Sequence, residues 1–204
     1  SQTKKWGSGR GDMYPTNTPY VIITQGSSGT DQPFIRAISW AIGSFSPEVR
    51  SKLENEKLLM PTIQHLLRSN QNQVKSQDDY LSGKAHPAVF DRANLDAIGM
   101  MTAAHEMRLN TIPPLVQISV ISEDELQPGR DFLGPARLSE KHFDSPDVIS
   151  RVWRGYPMKR TMTVSAKETI RINDEPLRYH WIVLRGPRDN VTITPLDDDK
   201  STVQ

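Results

Sequence analysis

The chain of 204 residues contains no cysteine, which excludes disulfide bonds, cysteine nucleophiles and thiolate metal ligands. Neither sign of charge dominates, because 25 lysine and arginine residues stand against 24 acidic residues and leave a formal net charge of +1. No apolar run approaches the roughly 20 residues that a helix needs to cross a bilayer. We therefore expect neither a nucleic-acid partner attracted by a global charge nor a membrane span.

The first half of the chain carries the signals of a helical segment that contains one short strand. A β-rich run at 20–24 leads into a polar turn with two glycines at 25–31. Pro33 follows at the position typical of a first helical turn, and apolar side chains then recur at helical spacing. The chain begins at Ser1 with neither an initiator methionine nor an apolar signal segment, so we expect a piece excised from a longer protein.

Three more helices are predicted before the pattern changes. Ser46-Pro47-Glu48 combines a capping hydroxyl, a proline in the first turn and an acid near the positive end of the helix dipole. Met60-Pro61-Thr62 is expected to begin the next helix. The last one is predicted over roughly 95–109, with Asn94 or Asp91 as its cap.

The period of the apolar residues changes at 110–114, and the following run at 115–121 alternates as a strand does. We therefore predict two domains, a helical α/β segment at 1–112 and a β-rich segment at 113–204.

The sequence at the end of the chain predicts three strands that are separated by two turns. In the run 177–184, alternate side chains are apolar and would share one side of a strand. A second run at 191–196 is followed by the acidic turn 197–200 and by the start of another strand at 201–204.

Part of this pattern resembles a known family, the polycystin-type (PKD) repeat and its bacterial relatives. The resemblance rests on Thr163-Val164-Ser165-Ala166, a polar turn ending Glu175-Pro176-Leu177, the motif Tyr179-x-Trp181-x-Val183 and a Gly-Pro turn. It covers roughly 148–204 and implies an immunoglobulin-like β-sandwich with Trp181 packed between two sheets. Two features depart from the family: its Gly-Asp-Gly turn is replaced by Arg185-Gly186-Pro187-Arg188-Asp189, and its last two strands are missing unless 115–121 completes the sandwich.

The remainder of the chain resembles uncharacterised bacterial secreted proteins, which bring no assigned activity. The expected fold is therefore α+β: a mainly helical N-terminal segment with a short strand, followed by an incomplete immunoglobulin-like antiparallel β-sandwich.

The glycine- and serine-rich turn at 25–31 is the sharpest candidate for a ligand site. A strand, a turn and a helix start in succession offer free backbone N–H groups and hydroxyls that suit a phosphate or a carboxylate. Neither glycine motif of nucleotide-binding proteins is present, and a tight structural turn is the alternative. The candidate ligand-binding residues are Gly26, Ser27, Ser28, Gly29 and Thr30.

A hydrolase reading of the same turn needs a nucleophile and a base. Ser27 or Ser28 would attack, and His86 or His105 would take the proton, as in other serine nucleophiles activated by a histidine. Asp31 or Asp91 would orient that histidine. No histidine of the chain lies in a catalytic motif, and the turn is not the G-x-S-x-G of a nucleophile elbow.

The acidic turn near the C-terminus is a candidate calcium site, because clustered carboxylate oxygens are the ligands that Ca²⁺ prefers. The three candidate ligands are Asp197, Asp198 and Asp199. A solvated turn at the edge of a sheet is the alternative, and no other cofactor is expected.

Taken with the resemblance, the missing catalytic motif predicts a non-catalytic structural or interaction module of a larger bacterial extracellular or envelope protein. Its partners would be other domains of the parent protein, or a carbohydrate or protein ligand. The alternative is the ligand-binding or hydrolase portion of an enzyme, centred on the turn 25–31.

Overall fold

The structure is a computed structural model. At 141–144 and 150 only the main chain is described. The described residues are 29–87, 89–125, 127, 129, 141–146, 149–151, 159–173, 175–184 and 188–204. The predicted strand at 20–24 lies outside them.

Five α-helices lie in the described part of the first half. They are α1 (Gln32–Ser44), α2 (Pro47–Asn55), α3 (Leu59–Ser69), α4 (Gln77–Tyr80) and α5 (Ala97–Glu106). Single 3₁₀ turns occupy Arg92–Asn94, Leu109–Thr111 and Arg188–Asn190.

The first two helices begin where the sequence predicts. Pro33 lies in the first turn of α1, where its missing N–H costs no helical hydrogen bond. Ser46 caps α2, and its hydroxyl oxygen accepts a hydrogen bond from the N–H of Val49 at 3.3 Å. Both starts depend on residues in the first turn of the helix or directly before it, so a local sequence pattern is sufficient to find them.

The predicted limits of the last helix, now α5, were wrong at both ends. Its cap is Asp96, whose Oδ1 accepts a hydrogen bond from the N–H of Gly99 at 2.8 Å. Asp91 instead caps the 3₁₀ turn, by accepting from the N–H of Ala93 at 2.9 Å. Leu95 is extended because it forms a β-bridge with Gln71, which keeps it outside the helix.

The helices enclose one hydrophobic core. α1 packs mainly against α5, and α3 lies against α1, α2 and α5. The fully buried members include Ala37, Ala41, Leu53, Ile63, Leu67, Met100 and Ala104. Leu115 and Ile172 also pack against this core from beyond residue 112, so the domain boundary at 112/113 stays a prediction.

The described part of the second half contains a three-stranded antiparallel sheet and a two-stranded one. β1 (Ser119–Glu123), β4 (Met162–Ser165) and β5 (Thr202–Val203) form the first sheet, in the order β1-β4-β5. β2 (Lys141–Asp144) and β3 (Ile149–Arg151) form the second. The fold is therefore mixed α+β.

A small apolar cluster and an ion pair join the two sheets. Ile149 of β3 packs with Ile118 and Ala166, which belong to the segments around β1 and β4. Glu123 of β1 and Arg151 of β3 form a bidentate pair, with Nε–Oε2 and Nη2–Oε1 distances of 2.8 and 3.0 Å. Their side chains are only 9% and 5% exposed, so the pair is buried.

One prediction about the C-terminal strands needs correction, and another, the pair of strands around the acidic turn, is confirmed. The segment 177–184 is extended but belongs to no strand, because it pairs with no neighbouring main chain within the described residues. Residues 194–196 pair with 202–204 through a tight hairpin, and Pro195 bridges Val203. Thr194 and Gln204 exchange two main-chain hydrogen bonds of 2.8 and 2.9 Å.

Candidate functional site

Only the end of the candidate ligand turn falls within the described residues, because Gly26, Ser27 and Ser28 lie outside them. Gly29 has a φ of +66°, the left-handed region that glycine adopts without strain. Its carbonyl oxygen accepts a hydrogen bond from the N–H of Gln32 at 3.3 Å. The described end of the turn therefore closes onto the start of α1, with Thr30 exposed beside it.

The candidate base His86 lies in a cluster of rings that the sequence did not reveal. The ring of Tyr80 stands edge-on to His86, with centroids 5.4 Å apart, and edge-on to His65 at 5.3 Å. The Tyr80 hydroxyl is 3.0 Å from Nδ1 of His65. The cluster thus fastens α4 and the loop that follows it to α3. Ser27 and Ser28 lie outside the described residues.

His65 is held in its neutral form. Burial lowers its pKa, and the nearby positive charge of Arg68 lowers it further. Ser69 donates its hydroxyl proton to the His65 carbonyl at 2.6 Å, which leaves the Ser69 oxygen able to accept from Nε2–H of the ring at 3.3 Å. Tyr80 then donates to Nδ1, and both ring nitrogens are satisfied.

The acidic turn is bound to the protein by its own carboxylates. The Oδ1 of Asp197 accepts from the N–H of Thr202, and its Oδ2 accepts from the Ser201 hydroxyl, both at 3.0 Å. Lys167 places its ammonium 3.1 Å from the same Oδ2. Asp199 accepts from the N–H of Ser201 at 2.9 Å. These contacts close the hairpin turn.

The charge of Asp197 is stabilised by these donors. Partial burial alone would raise its pKa, but the hydrogen bonds from Thr202, Lys167 and Ser201 outweigh burial and hold the pKa well below its usual range. The same pair raises the pKa of Lys167. Within the described ranges, no group of three acidic or histidine side chains is arranged to hold a metal ion.

A shallow groove of about 260 Å³ lies between the extended segment 177–184 and the C-terminal hairpin. Its aromatic lining comes from Tyr179 and Trp181, and its apolar lining includes Ile182, Ile193 and Val203. Tyr179 and Trp181 also pack against the cluster between the sheets, so their rings are held in place. The groove therefore presents positioned aromatic surface, and its lining also includes His180 and Lys200.

Trp181 fixes one wall of this groove to the other. Its indole Nε1–H donates a hydrogen bond to the carbonyl oxygen of Lys200 at 2.7 Å. Lys200 has a φ of +60°, a conformation that turns the chain at the end of the acidic turn. The acidic turn thus has a structural link to the groove.

A wider groove of about 680 Å³ lies beside α2 and has no aromatic side chain in its lining. Its floor is tied together by Asn173, whose Nδ2 donates to the carbonyl oxygen of Asn110 at 2.6 Å. Because its lining has no aromatic ring and no cluster of like charges, this groove offers fewer groups that could recognise a ligand than the groove at Trp181 does.

No family model, curated protein or solved structure matches the chain. The resemblance to the PKD repeat and the immunoglobulin-like sandwich therefore stay predictions. Among the described helices, none is both long and apolar enough to cross a membrane.

Proposed function

We propose that the chain is a non-catalytic structural or interaction module of a larger bacterial extracellular or envelope protein, and that it docks a protein or carbohydrate ligand in the groove at Trp181. The observation that carries the proposal is the pair of fixed rings, Tyr179 and Trp181, in an open groove. Aromatic rings suit both kinds of ligand, since they offer a large apolar surface and lose little side-chain freedom on binding. The cellular setting rests on the resemblance of 148–204 to bacterial modules.

Apolar side chains around the groove support the docking role. Ile182, Val191 and Leu196 are 43%, 47% and 53% exposed, and all three come from the two segments that form or flank the groove. Scattered apolar residues are normal on a protein surface, but apolar residues beside a concave aromatic site are typical of recognition surfaces.

The reactive side chains that the structure describes support the same proposal. Asp197 and Asp199 cap a turn, Glu123 is paired with Arg151, and His65 shares its hydrogen bonds with Tyr80 and Ser69. Each of these groups stabilises the fold, and a general acid or base would instead face a substrate.

The docking role can be tested by nuclear magnetic resonance, with the indole N–H signals of the four tryptophans as reporters. Titration with soluble oligosaccharides, and separately with purified flanking domains of the parent protein, should shift the Trp181 signal first. Ile182→Ser should weaken the interaction, whereas Ile98→Ser removes an even more exposed isoleucine (73%) from α5 and should not. If the shifts cluster around Gly29 and Thr30 instead, the alternative site at 25–31 is favoured.

The hydrolase alternative predicts a different result. Ester and amide substrates should be cleaved by the native chain and spared by Ser27→Ala, Ser28→Ala or His86→Gln. We expect no turnover above background. Cleavage that one of these substitutions abolishes would contradict the non-catalytic proposal.

We also propose that the module needs no bound calcium. Two of the three candidate carboxylates already accept main-chain hydrogen bonds, and one of those two also holds Lys167. Thermal melting in excess calcium and in excess chelator should therefore agree. A rise in melting temperature with calcium that Asp198→Asn removes would restore the metal site.

A further inference from the structure

The segment 177–184 has the side-chain arrangement of a strand without the hydrogen bonds of one. Arg178, His180 and Ile182 are exposed, whereas the intervening residues are half-buried. This alternation is that of a strand with one face on a core. Among the described residues, no main-chain N–H or C=O of 176–184 is hydrogen-bonded to another part of the backbone.

Unpaired main chain of this kind is a template for another strand. Each free N–H and C=O can pair with an added chain, and the spacing of these groups suits any extended polypeptide. A carbohydrate could stack on the rings, but it would leave this row of regularly spaced groups largely unused. The chemistry along the segment therefore favours a polypeptide partner.

We propose that this partner is a second copy of the same chain, and that two 177–184 segments pair antiparallel about a two-fold axis. The inference rests on the proposed interaction role and names the partner for the same surface. A two-fold interface requires a surface that is complementary to itself. The segment meets that requirement when it pairs antiparallel with its own copy, and the register that pairs the most residues within its described length is centred on His180.

That register follows from the alternation of exposure. Residues directly opposite each other in an antiparallel pair lie on the same face, so exposed residues must oppose exposed ones. Pairing centred on His180 satisfies this condition and uses all the residues from 177 to 183. The opposing pairs are His180 with His180, Tyr179 with Trp181, Arg178 with Ile182 and Leu177 with Val183.

The charges also fit this arrangement. The only permanent charge among these paired residues is Arg178, and it lies opposite the uncharged Ile182. The two arginines are separated along the strands by about four residues, roughly 13 Å, at which salt screens much of their repulsion. A short strand pair is smaller than the interfaces of permanent dimers, so we expect a weak, reversible and concentration-dependent association.

The test uses substitutions at the two-fold axis, where His180 is exposed and its side chain forms no hydrogen bond or ion pair with another described residue. In sedimentation experiments over a concentration series, the native chain should dimerise. His180→Glu and His180→Lys should each weaken the dimer by about three- to fivefold, because like charges then oppose each other. An equimolar mixture of the two variants should associate more tightly than either alone, by about tenfold, because every mixed pair has opposite charges.

Proline substitutions test the main-chain contribution independently. Ile182→Pro and Val183→Pro each remove an N–H that forms no internal backbone hydrogen bond, one on each edge of the segment. One of the two should reduce dimerisation, while Ile182→Ser, which keeps the N–H, should reduce it less. Circular dichroism would check that each variant remains folded.

The outcomes separate this inference from the proposed function. A chain that stays monomeric at millimolar concentration overturns the dimer, and so do His180→Glu and His180→Lys variants that associate like the native chain. Either result leaves the docking role intact if oligosaccharides or flanking domains still shift the Trp181 signal. Serine-dependent hydrolysis would overturn the proposed function and leave the dimer measurement unchanged.

Discussion

The indole N–H of Trp181 is hydrogen-bonded to the carbonyl oxygen of Lys200, 19 positions later in the chain, at 2.7 Å. This contact makes the aromatic wall of the groove depend on the geometry of the acidic turn. Trp181 also packs against the apolar cluster that Ile118, Ile149 and Ala166 form between the sheets, so one side chain links the extended segment, that cluster and the hairpin.

Replacement of Trp181 should separate these two contributions. Trp181→Phe keeps most of the apolar contact but loses the hydrogen bond, and we expect a loss of about 1 kcal/mol in the free energy of unfolding. Trp181→Ala also removes the ring, and because the ring is only half-buried the loss should be about 2–3 kcal/mol, below the usual range for a core aromatic. Urea denaturation measures both. Equal losses would show that the ring contacts contribute little.

Asp197 should make the stability of the hairpin sensitive to acid. Its folded pKa is lowered, so its contribution is fully present above the unfolded value, near 3.9, and is lost as the pH falls through the folded pKa. Asp197→Asn should therefore reduce the slope of stability against pH below about pH 4. Asp198→Asn, in the same turn but exposed, is the matched control and should leave the slope unchanged.

His65, which lies in the helical half, should make the stability of the fold depend on pH in a higher range than Asp197 does. Burial and Arg68 lower its folded pKa, so between that value and about 6.5 the unfolded chain binds a proton that the folded chain does not. Stability should consequently fall as the pH is lowered from 7 through this range. His65→Gln should flatten the profile, whereas the exposed His105→Gln should not. Thermal melting at a series of pH values makes the comparison.

Removal of one charge from the buried ion pair of Glu123 and Arg151 should lower the free energy of unfolding substantially. Glu123→Gln removes the carboxylate charge from the bidentate pair while the buried guanidinium keeps its own, and we expect a loss of about 3 kcal/mol. The double change Glu123→Leu with Arg151→Leu should recover much of that loss, because neither charge then remains buried. Glu54→Gln breaks a pair of similar length (2.8 Å) with Arg50 on the surface of α2 and should cost less than about 1 kcal/mol.

Lys57 is a position where the native residue is not the best one. It follows α2 with a φ of 59°, and the next N–H, that of Leu58, closes the helix end on the carbonyl of Leu53 at 2.8 Å. A left-handed residue of this kind costs a side chain about 1 kcal/mol, which glycine avoids. Lys57→Gly should therefore raise the free energy of unfolding by about 0.5–1 kcal/mol. Lys57→Ala, which removes the charge but keeps Cβ, should not.

The sequence was most informative where structure depends on neighbouring residues. The starts of α1 and α2 followed from Pro33 and Ser46, each of which acts within its own first turn. The start of α5 was wrong because Asp91 and Asp96 are both good caps, and only the distant bridge between Leu95 and Gln71 decides between them. The local sequence therefore predicted a helix correctly, and a tertiary contact determined the residue at which that helix begins.

The extended segment 177–184 shows the same limit for strands. Its alternation correctly indicated which side chains are half-buried and which are exposed over 177–183, since that depends on the period of the residues, but Leu184 departs from it and is half-buried. Whether it becomes a strand depends on a neighbouring chain at hydrogen-bonding distance, and no local pattern contains that information. The ring cluster at Tyr80 was missed for a related reason, because His65 lies 15 positions before it and no motif connects the two.

The candidate site changed with these corrections. The three aspartates were candidate calcium ligands with a solvated turn as the alternative, and in the structure Asp197 and Asp199 accept hydrogen bonds from the N–H groups of Thr202 and Ser201. Acid clusters and turn caps share the same residue types, so composition alone could not distinguish them. Trp181 was identified from its place in the motif, but its partner at Lys200 depends on the hairpin fold.

The hairpin at 194–204 has a mechanical consequence. Thr194 and Gln204 exchange hydrogen bonds at its open end, and the turn at 197–200 closes the other end. A pulling force applied to the backbone at Gln204 would load these bonds, and those that join β5 to β4 on its other side, one pair at a time, as a zipper opens, and would not shear them all together. We therefore expect the last strand to peel away at low force while the helical core remains intact.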